Sequence, residues 1–131
     1  MQVPEYKVVL IGPTNTGKTT FVNKLLGVQQ PTTVTLGVEV NPLDLHHQGN
    51  KIRINFWDCA GNPSYKGLAE GYYINSKAAL IFKDQHNEYI TLERKLDQVC
   101  PGIPKLHIDS FNLQDDLLTI YRPKLYDLLL N

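Results

Sequence analysis

Cysteine is scarce in this 131-residue chain, which holds only Cys59 and Cys100. Two cysteines so placed have neither metal-ligand spacing nor the density of a disulfide framework. A disulfide-stapled secreted scaffold is thereby excluded, and a reduced intracellular setting is the expectation. A surplus of charge is lacking too, since Lys+Arg and Asp+Glu are both 13 and the formal net charge is zero. A general nucleic-acid binder would carry a basic surplus or patch. Long apolar runs are missing as well. Ala78–Phe82 and Leu128–Leu130 fall far short of a bilayer span. Met1–Glu5 has no basic n-region, and Val8–Ile11 is too short for a signal-peptide h-region. Gln2 stands where myristoylation needs glycine, and no cysteine lies near Asn131 for prenylation. Membrane attachment and nucleic acid are therefore not expected.

What is present suits one compact domain over residues 1–131. The hydrophobic fraction of 42% is ordinary for a folded protein, and there are no repeats, linkers or low-complexity segments. Tyr6–Ile11 is a buried β-type run that ends at Gly12. Thr19–Leu26, with Phe21, Val22, Leu25 and Leu26, reads as a helix stopped at Gly27. Val28–Thr35 reads as a loop. Gly37–Leu45 and Lys51–Trp57 read as paired strands joined by His46–Asn50. Asp58–Ser64 reads as a Gly-, Asn- and Pro-rich loop, and a short helix is expected from about Leu68 to Ile74. Ala78–Phe82 is a further buried strand, Glu88–Val99 a helix stopped by Pro101, and Lys105–Ile108 a last strand. Leu113–Leu130 is helical in pattern but interrupted by Pro123, which predicts two short helices. Strands alternating with helices give an α/β fold with a mostly parallel sheet.

Gly12-Pro13-Thr14-Asn15-Thr16-Gly17-Lys18-Thr19 satisfies the phosphate-loop pattern G-x-x-x-x-G-K-T, after a strand and before a helix. Successive backbone N–H groups from Asn15 through Thr16, Gly17, Lys18 and Thr19 form an anion nest at a helix N-terminus. Lys18 supplies a point charge for the β- and γ-phosphates, and the Thr19 hydroxyl is suited to Mg²⁺. The bland alternative is a chance glycine-bearing turn, which the two flanking elements argue against. Asp58 ends an apolar strand and is followed by Cys59-Ala60-Gly61. Alone, such an Asp is a turn residue. Beside a phosphate loop it is a candidate for the Mg²⁺ shell, with the Gly61 N–H meeting the γ-phosphate.

At these residues the chain resembles the Ras-like small GTPases, and most closely the Ran branch that serves nuclear transport. The matching residues are Gly17-Lys18-Thr19-Thr20-Phe21-Val22, Thr35–Val40 with Pro42-Leu43, Trp57-Asp58 with Ala60-Gly61, and Gly67-Leu68 with Gly71-Tyr72-Tyr73-Ile74. The resemblance runs from about Tyr6 to Phe82, weakens to Pro104 and is then uncertain. It implies a three-layer P-loop sandwich of the small-GTPase type, reduced at its C-terminal end. It further implies GTP/GDP and Mg²⁺ as cofactors, with Thr20 also at the nucleotide and with Thr19, Thr35 and Asp58 around the metal. Thr35 becomes the switch I threonine and Asp58–Ile74 switch II, both loops being ordered by the γ-phosphate. Without the match, Thr35 would read as an exposed loop threonine. Tyr72 and Tyr73 suit packing as well as partner contact.

The departures bear on turnover. Where the family has a Gln to orient the attacking water, this chain has Asn62, one methylene shorter, followed by Pro63. Gly61, Asn62 and Lys18 thus make a catalytic set with a weakened member. Thr14 replaces the glycine usual at the third loop position, crowding the γ-phosphate and the path of an activating arginine unless it points outward. Slow hydrolysis is the expectation. No Asn-Lys-x-Asp base-reading loop occurs, and Val28 replaces the aromatic residue that packs on the base. Two alignments of the tail are open. In one, Lys105–Ile108 precedes the base loop and leaves Asp109 as a lone carboxylate. In the other, favoured here, that strand and its helix are deleted, and His107–Asn112 stands where the Ser-Ala-Lys segment would be. An Asp109 with no base to read suits a helix cap. Ran's acidic C-terminal tail has no counterpart.

Two functions remain in view. One is a monomeric GTP-binding switch with weak hydrolysis, acting in cytoplasm and nucleus on importin-β-type transport receptors or on Ran regulators. The other is a nucleotide-independent decoy that offers the same switch surfaces. A small ATPase is a third reading, disfavoured by Thr35 and Asp58.

Overall fold

The computed structural model describes residues 3–13, 18–26, 38–59, 73–109 and 117–130. The elements are β1 (Glu5–Ile11), α1 (Lys18–Leu26), β2 (Val38–His47), β3 (Asn50–Cys59), β4 (Ala78–Lys83), α2 (Tyr89–Val99), β5 (Lys105–Asp109) and α3 (Leu117–Leu130). The strands form one sheet in the order β2-β3-β1-β4-β5. Only the β2–β3 pair is antiparallel, so the sheet is mixed but mostly parallel, as the alternation of strands and helices predicts.

Alternation along the central strands sends successive side chains to opposite faces. Val8 and Leu10 of β1 and Ala78, Leu80 and Phe82 of β4 join Phe21, Val22 and Leu25 of α1 and Leu125 and Leu129 of α3. Val9 and Ile11 with Ala79 and Ile81 face the other way, onto Leu96 of α2, Ile103 and Tyr73. The result is three layers, with α1 and α3 on one face and α2 on the other. A strand covered on both faces needs a nearly continuous apolar run, and AALIFK of β4 supplies one. Phe21 anchors the first layer, its ring meeting Phe82 edge-on at 5.3 Å and Tyr121 at 5.1 Å.

The hairpin is tighter than its sequence suggests. The β2 and β3 ladders run to His47 and Asn50, leaving a two-residue turn of Gln48 (φ 51°) and Gly49 (φ 80°). Two positive φ values in a two-residue turn match the right-handed strand twist. Gly49 has open space for a Cβ, so its backbone angle is what demands glycine there. Asp58 is likewise not in a loop but inside β3, which continues to Cys59.

Pro123 does not split the last helix, as the sequence predicts it should; Leu117–Leu130 is continuous with Pro123 inside it. An internal proline costs about 3 kcal/mol. Burial of Leu117, Leu125, Tyr126 and Leu129 against the first layer offsets it, at about 1.5–3 kcal/mol per large apolar side chain. The strand before this helix lies directly beside β4, and the helix packs on α1's face of the sheet. The expected loop Val28–Thr35 and most of the expected helix Leu68–Ile74 lie outside the described residues. Tyr73, at the end of the latter, is a core residue at 3% exposure.

Candidate functional site

β1, β3, β4 and β5 are parallel, so their C-terminal ends share one edge of the sheet. Leu10 pairs with Asp58 across β1–β3, Ile11 with Ile81 across β1–β4, and Lys83 with Asp109 across β4–β5. The neighbours β1 and β4 feed helices on opposite faces, α1 on one and α2 on the other. Ligands of open α/β sheets bind at such a switch point, outside the carboxyl ends of the strands. The phosphate-loop sequence leaves β1 at this point, with Gly12 and Pro13 still buried.

Lys18 is the first residue of α1 and is only 6% exposed. Its Nζ donates to the carbonyl oxygens of Gly12 at 2.7 Å and Pro13 at 2.9 Å. A cation here sits at the positive end of the helix dipole, an unfavourable place that the two carbonyls compensate and an anion would relieve. An ammonium held in that way is a preplaced partner for a phosphate group. It is the charged residue among the buried side chains described.

Asp58 is half-buried beside Leu10 of β1 and opposite Glu39 of β2. It therefore lies one strand away from the start of the phosphate loop. A hard carboxylate oxygen in that place has the donor chemistry of Mg²⁺, which is held through one or two carboxylates with phosphate oxygens and water. Among the described residues no three His, Cys, Asp or Glu side chains gather into a metal cluster. Thr20 of α1 is exposed. Thr14, Asn15, Thr16, Gly17, Val28, Thr35, Gly61 and Asn62 lie outside the described residues, as does the side chain of Thr19.

The far side of the edge carries a further carboxylate, which no motif in the sequence singles out. Asp84, just past β4, accepts backbone N–H bonds from His86 (3.2 Å), Glu88 (3.0 Å) and Tyr89 (2.9 Å). Burial works to raise its pKa, but these N–H groups outweigh burial and hold the carboxyl below its ordinary range. Asp84 therefore secures the start of α2. Asp84 stands four residues ahead of the N-cap position Glu88, so the ordinary capping cue, a residue directly before the helix, does not mark it. Asp109 ends β5 beside Lys83, with its side chain exposed.

The return of the chain from residues 60–72 is pinned at several points. The Tyr73 ring is in the core, and its carbonyl accepts from the Cys100 thiol at 3.1 Å and from the Ser76 N–H at 3.2 Å. Lys7 donates to the Ile74 carbonyl at 2.9 Å while its ammonium sits 3.9 Å above the Trp57 ring. Lys7 thus ties β1, the strand carrying Asp58 and the chain leaving residues 60–72 to one another. Strand alternation places Lys7 on the face of Val9, but nothing local in the sequence names its partners.

Over residues 7–105 the chain matches the family model described as Roc, Ras of Complex, Roc, domain of DAPkinase. That span holds the phosphate loop, Lys18, Asp58 and strands β2 to β4 with α2. The mostly parallel sheet, the phosphate-loop sequence that leaves β1 at the switch point and this match agree on a small-GTPase-type fold. The chain belongs to the Roc family of Ras-superfamily, small-GTPase-type domains.

Proposed function

We propose that this protein is a Ran-like GTP-binding switch with weak hydrolysis that acts on nuclear-transport receptors of the importin-β type. The observation that carries the nucleotide reading is Lys18, a buried ammonium at the positive end of α1, held on the Gly12 and Pro13 carbonyls at the switch point of the sheet. GTP or GDP phosphates complete that electrostatic arrangement, with Lys18 on the β- and γ-phosphates and the N–H groups of Asn15 to Thr19 around them. Mg²⁺ would be held by Thr19, Thr35 and Asp58 and supply charge neutralisation at the phosphates. The Gly61 N–H meets the γ-phosphate. Asn62 orients water poorly and Thr14 crowds the approach of an activating arginine, so binding outlasts turnover.

The transport-receptor reading is supported by the residues of Thr35–Leu43 and Gly67–Ile74. In the described parts of these segments Val40 is 44% exposed and Ile74 is 51% exposed, so apolar groups are offered to solvent beside the switch regions. The test is a titration of fluorescent GTP, GDP and ATP with and without Mg²⁺, followed by receptor binding in each nucleotide state. GTP-selective, Mg²⁺-dependent binding that strengthens receptor capture is the expected result. No binding of any nucleotide, with receptor capture unchanged in Lys18→Ala, would replace the switch with a nucleotide-independent decoy.

A further inference from the structure

The two edges of the sheet are not alike. On β2, the pair His47–Asn50 flanks the two-residue turn, which makes Pro42 a residue whose backbone faces outward. Proline has no N–H to offer there, so this edge is broken in its middle against strand addition. On β5 nothing comparable occurs. Ala79 N–H donates to the Pro104 carbonyl and Ala79 is in register with Lys105. In a parallel ladder this directs the backbone groups of Leu106 and Ile108 toward β4 and those of Lys105, His107 and Asp109 outward. Among the described residues no strand pairs with that outer side.

The order of side chains on β5 is self-complementary. An antiparallel copy centred on His107 sets Lys105 opposite Asp109 of the second copy, Leu106 opposite its Ile108, and His107 opposite its own equivalent. Because the outward-facing residues are 105, 107 and 109, the two Lys105–Asp109 pairs and the central His107 pair fall in the hydrogen-bonded class, each exchanging both backbone bonds, while Leu106 and Ile108 form the non-hydrogen-bonded pairs between them. Lys105 and Asp109 then meet as opposite charges on the α2 face, and a shift of register by two residues breaks both matches. The pairing is isologous, as a closed two-fold dimer requires. Lys105 and His107 are held for it by α2. Lys105 Nζ is 3.0 Å from Glu93 and also contacts Asp97, and His107 Nε2 is 3.1 Å from Glu93.

We propose that β5 is a homodimer edge, on which a second copy of this chain pairs antiparallel about His107 and extends the sheet across the two-fold axis. Sequence alone suggests a monomer. The outer side of β5, with no strand paired to it among the described residues, and its palindromic charge order point the other way.

Sedimentation equilibrium of the full chain over a series rising to near-millimolar concentration tests this. The wild type should show a monomer–dimer equilibrium. His107→Pro removes an outward N–H and leaves the β4 ladder intact, so it should raise the dissociation constant at least about tenfold. Asp109→Lys sets like charges across both outer pairs and should weaken the dimer by about tenfold, which keeps the test decisive should the proline variant misfold. In His107→Cys, mild oxidation should link two copies across the axis, because paired Cα atoms about 5.5 Å apart suit a disulfide. A wild type that stays monomeric throughout, or a dimer indifferent to His107→Pro and Asp109→Lys, overturns the proposal.

Discussion

The Tyr126 hydroxyl of α3 lies 2.9 Å from the Leu45 carbonyl oxygen of β2, and 2.8 Å from that of Asn50 across the hairpin. One buried phenol thus fastens the closing helix to the hairpin end remote from the phosphate loop. Tyr126→Phe keeps the ring in the first layer and removes the donor. A loss of about 1 kcal/mol follows, the net worth of one buried hydrogen bond. Chemical denaturation should show a lower midpoint with an unchanged slope.

Lys18 should separate stability from binding. Replacing a buried cation by an apolar residue of similar length is often neutral for stability. Lys18→Met is expected to fold with a stability within about 1 kcal/mol of the wild type. Its affinity for GTP should fall by at least about 100-fold, a loss of about 2.8 kcal/mol or more. Thermal melts and fluorescent nucleotide titration read the two effects independently. Equal affinity in the variant would remove Lys18 from the phosphate site.

Hydrolysis should respond to residue 62. Asn62→Gln restores the missing methylene and with it the reach to an attacking water. Single-turnover rates on bound GTP should rise by about tenfold, which is about 1.4 kcal/mol of barrier. Thr14→Gly is expected to act mainly when an activating protein supplies an arginine, since that group is the one Thr14 crowds. A Gln variant no faster than the wild type would place the block elsewhere.

The Glu93–Lys105–His107 contact makes a defined pH prediction. Burial works to raise the Glu93 pKa, but Lys105 and His107 hydrogen bonds overcome burial and set it below its ordinary value of 4.5. A carboxyl lowered by folding contributes stability above its unfolded value, and that contribution disappears as pH falls through the folded one. For Lys105, burial pulls downward while Asp97 and Glu93 raise it above 10.5. Its contribution is complete below that value and is lost as pH rises through the folded pKa. Wild type should therefore exceed Glu93→Gln by about 1 kcal/mol near neutrality, a figure reduced for partial exposure. Thermal melts across pH should show the gap closing at both extremes. A constant gap would mean that Glu93 acts by packing alone.

The phosphate loop, the strand–helix order and the missing base-reading motif were determined by the sequence itself, because each is a local pattern of spacing and residue type. The alternation of Ile52, Ile54 and Phe56 with Arg53 and Asn55, and the apolar run Ala78–Phe82, mark strands for the same reason. The tertiary structure decided what depends on distant partners. Pro123 stays within one helix because Leu117, Leu125 and Leu129 bury around it. Asp58 becomes a strand residue because Glu39 and Leu10 pair with it from both sides. Lys7 finds Trp57 and Ile74 only when segments 50 or more residues apart come together. Local sequence sets what each segment prefers, and burial and long-range pairing choose which preference prevails.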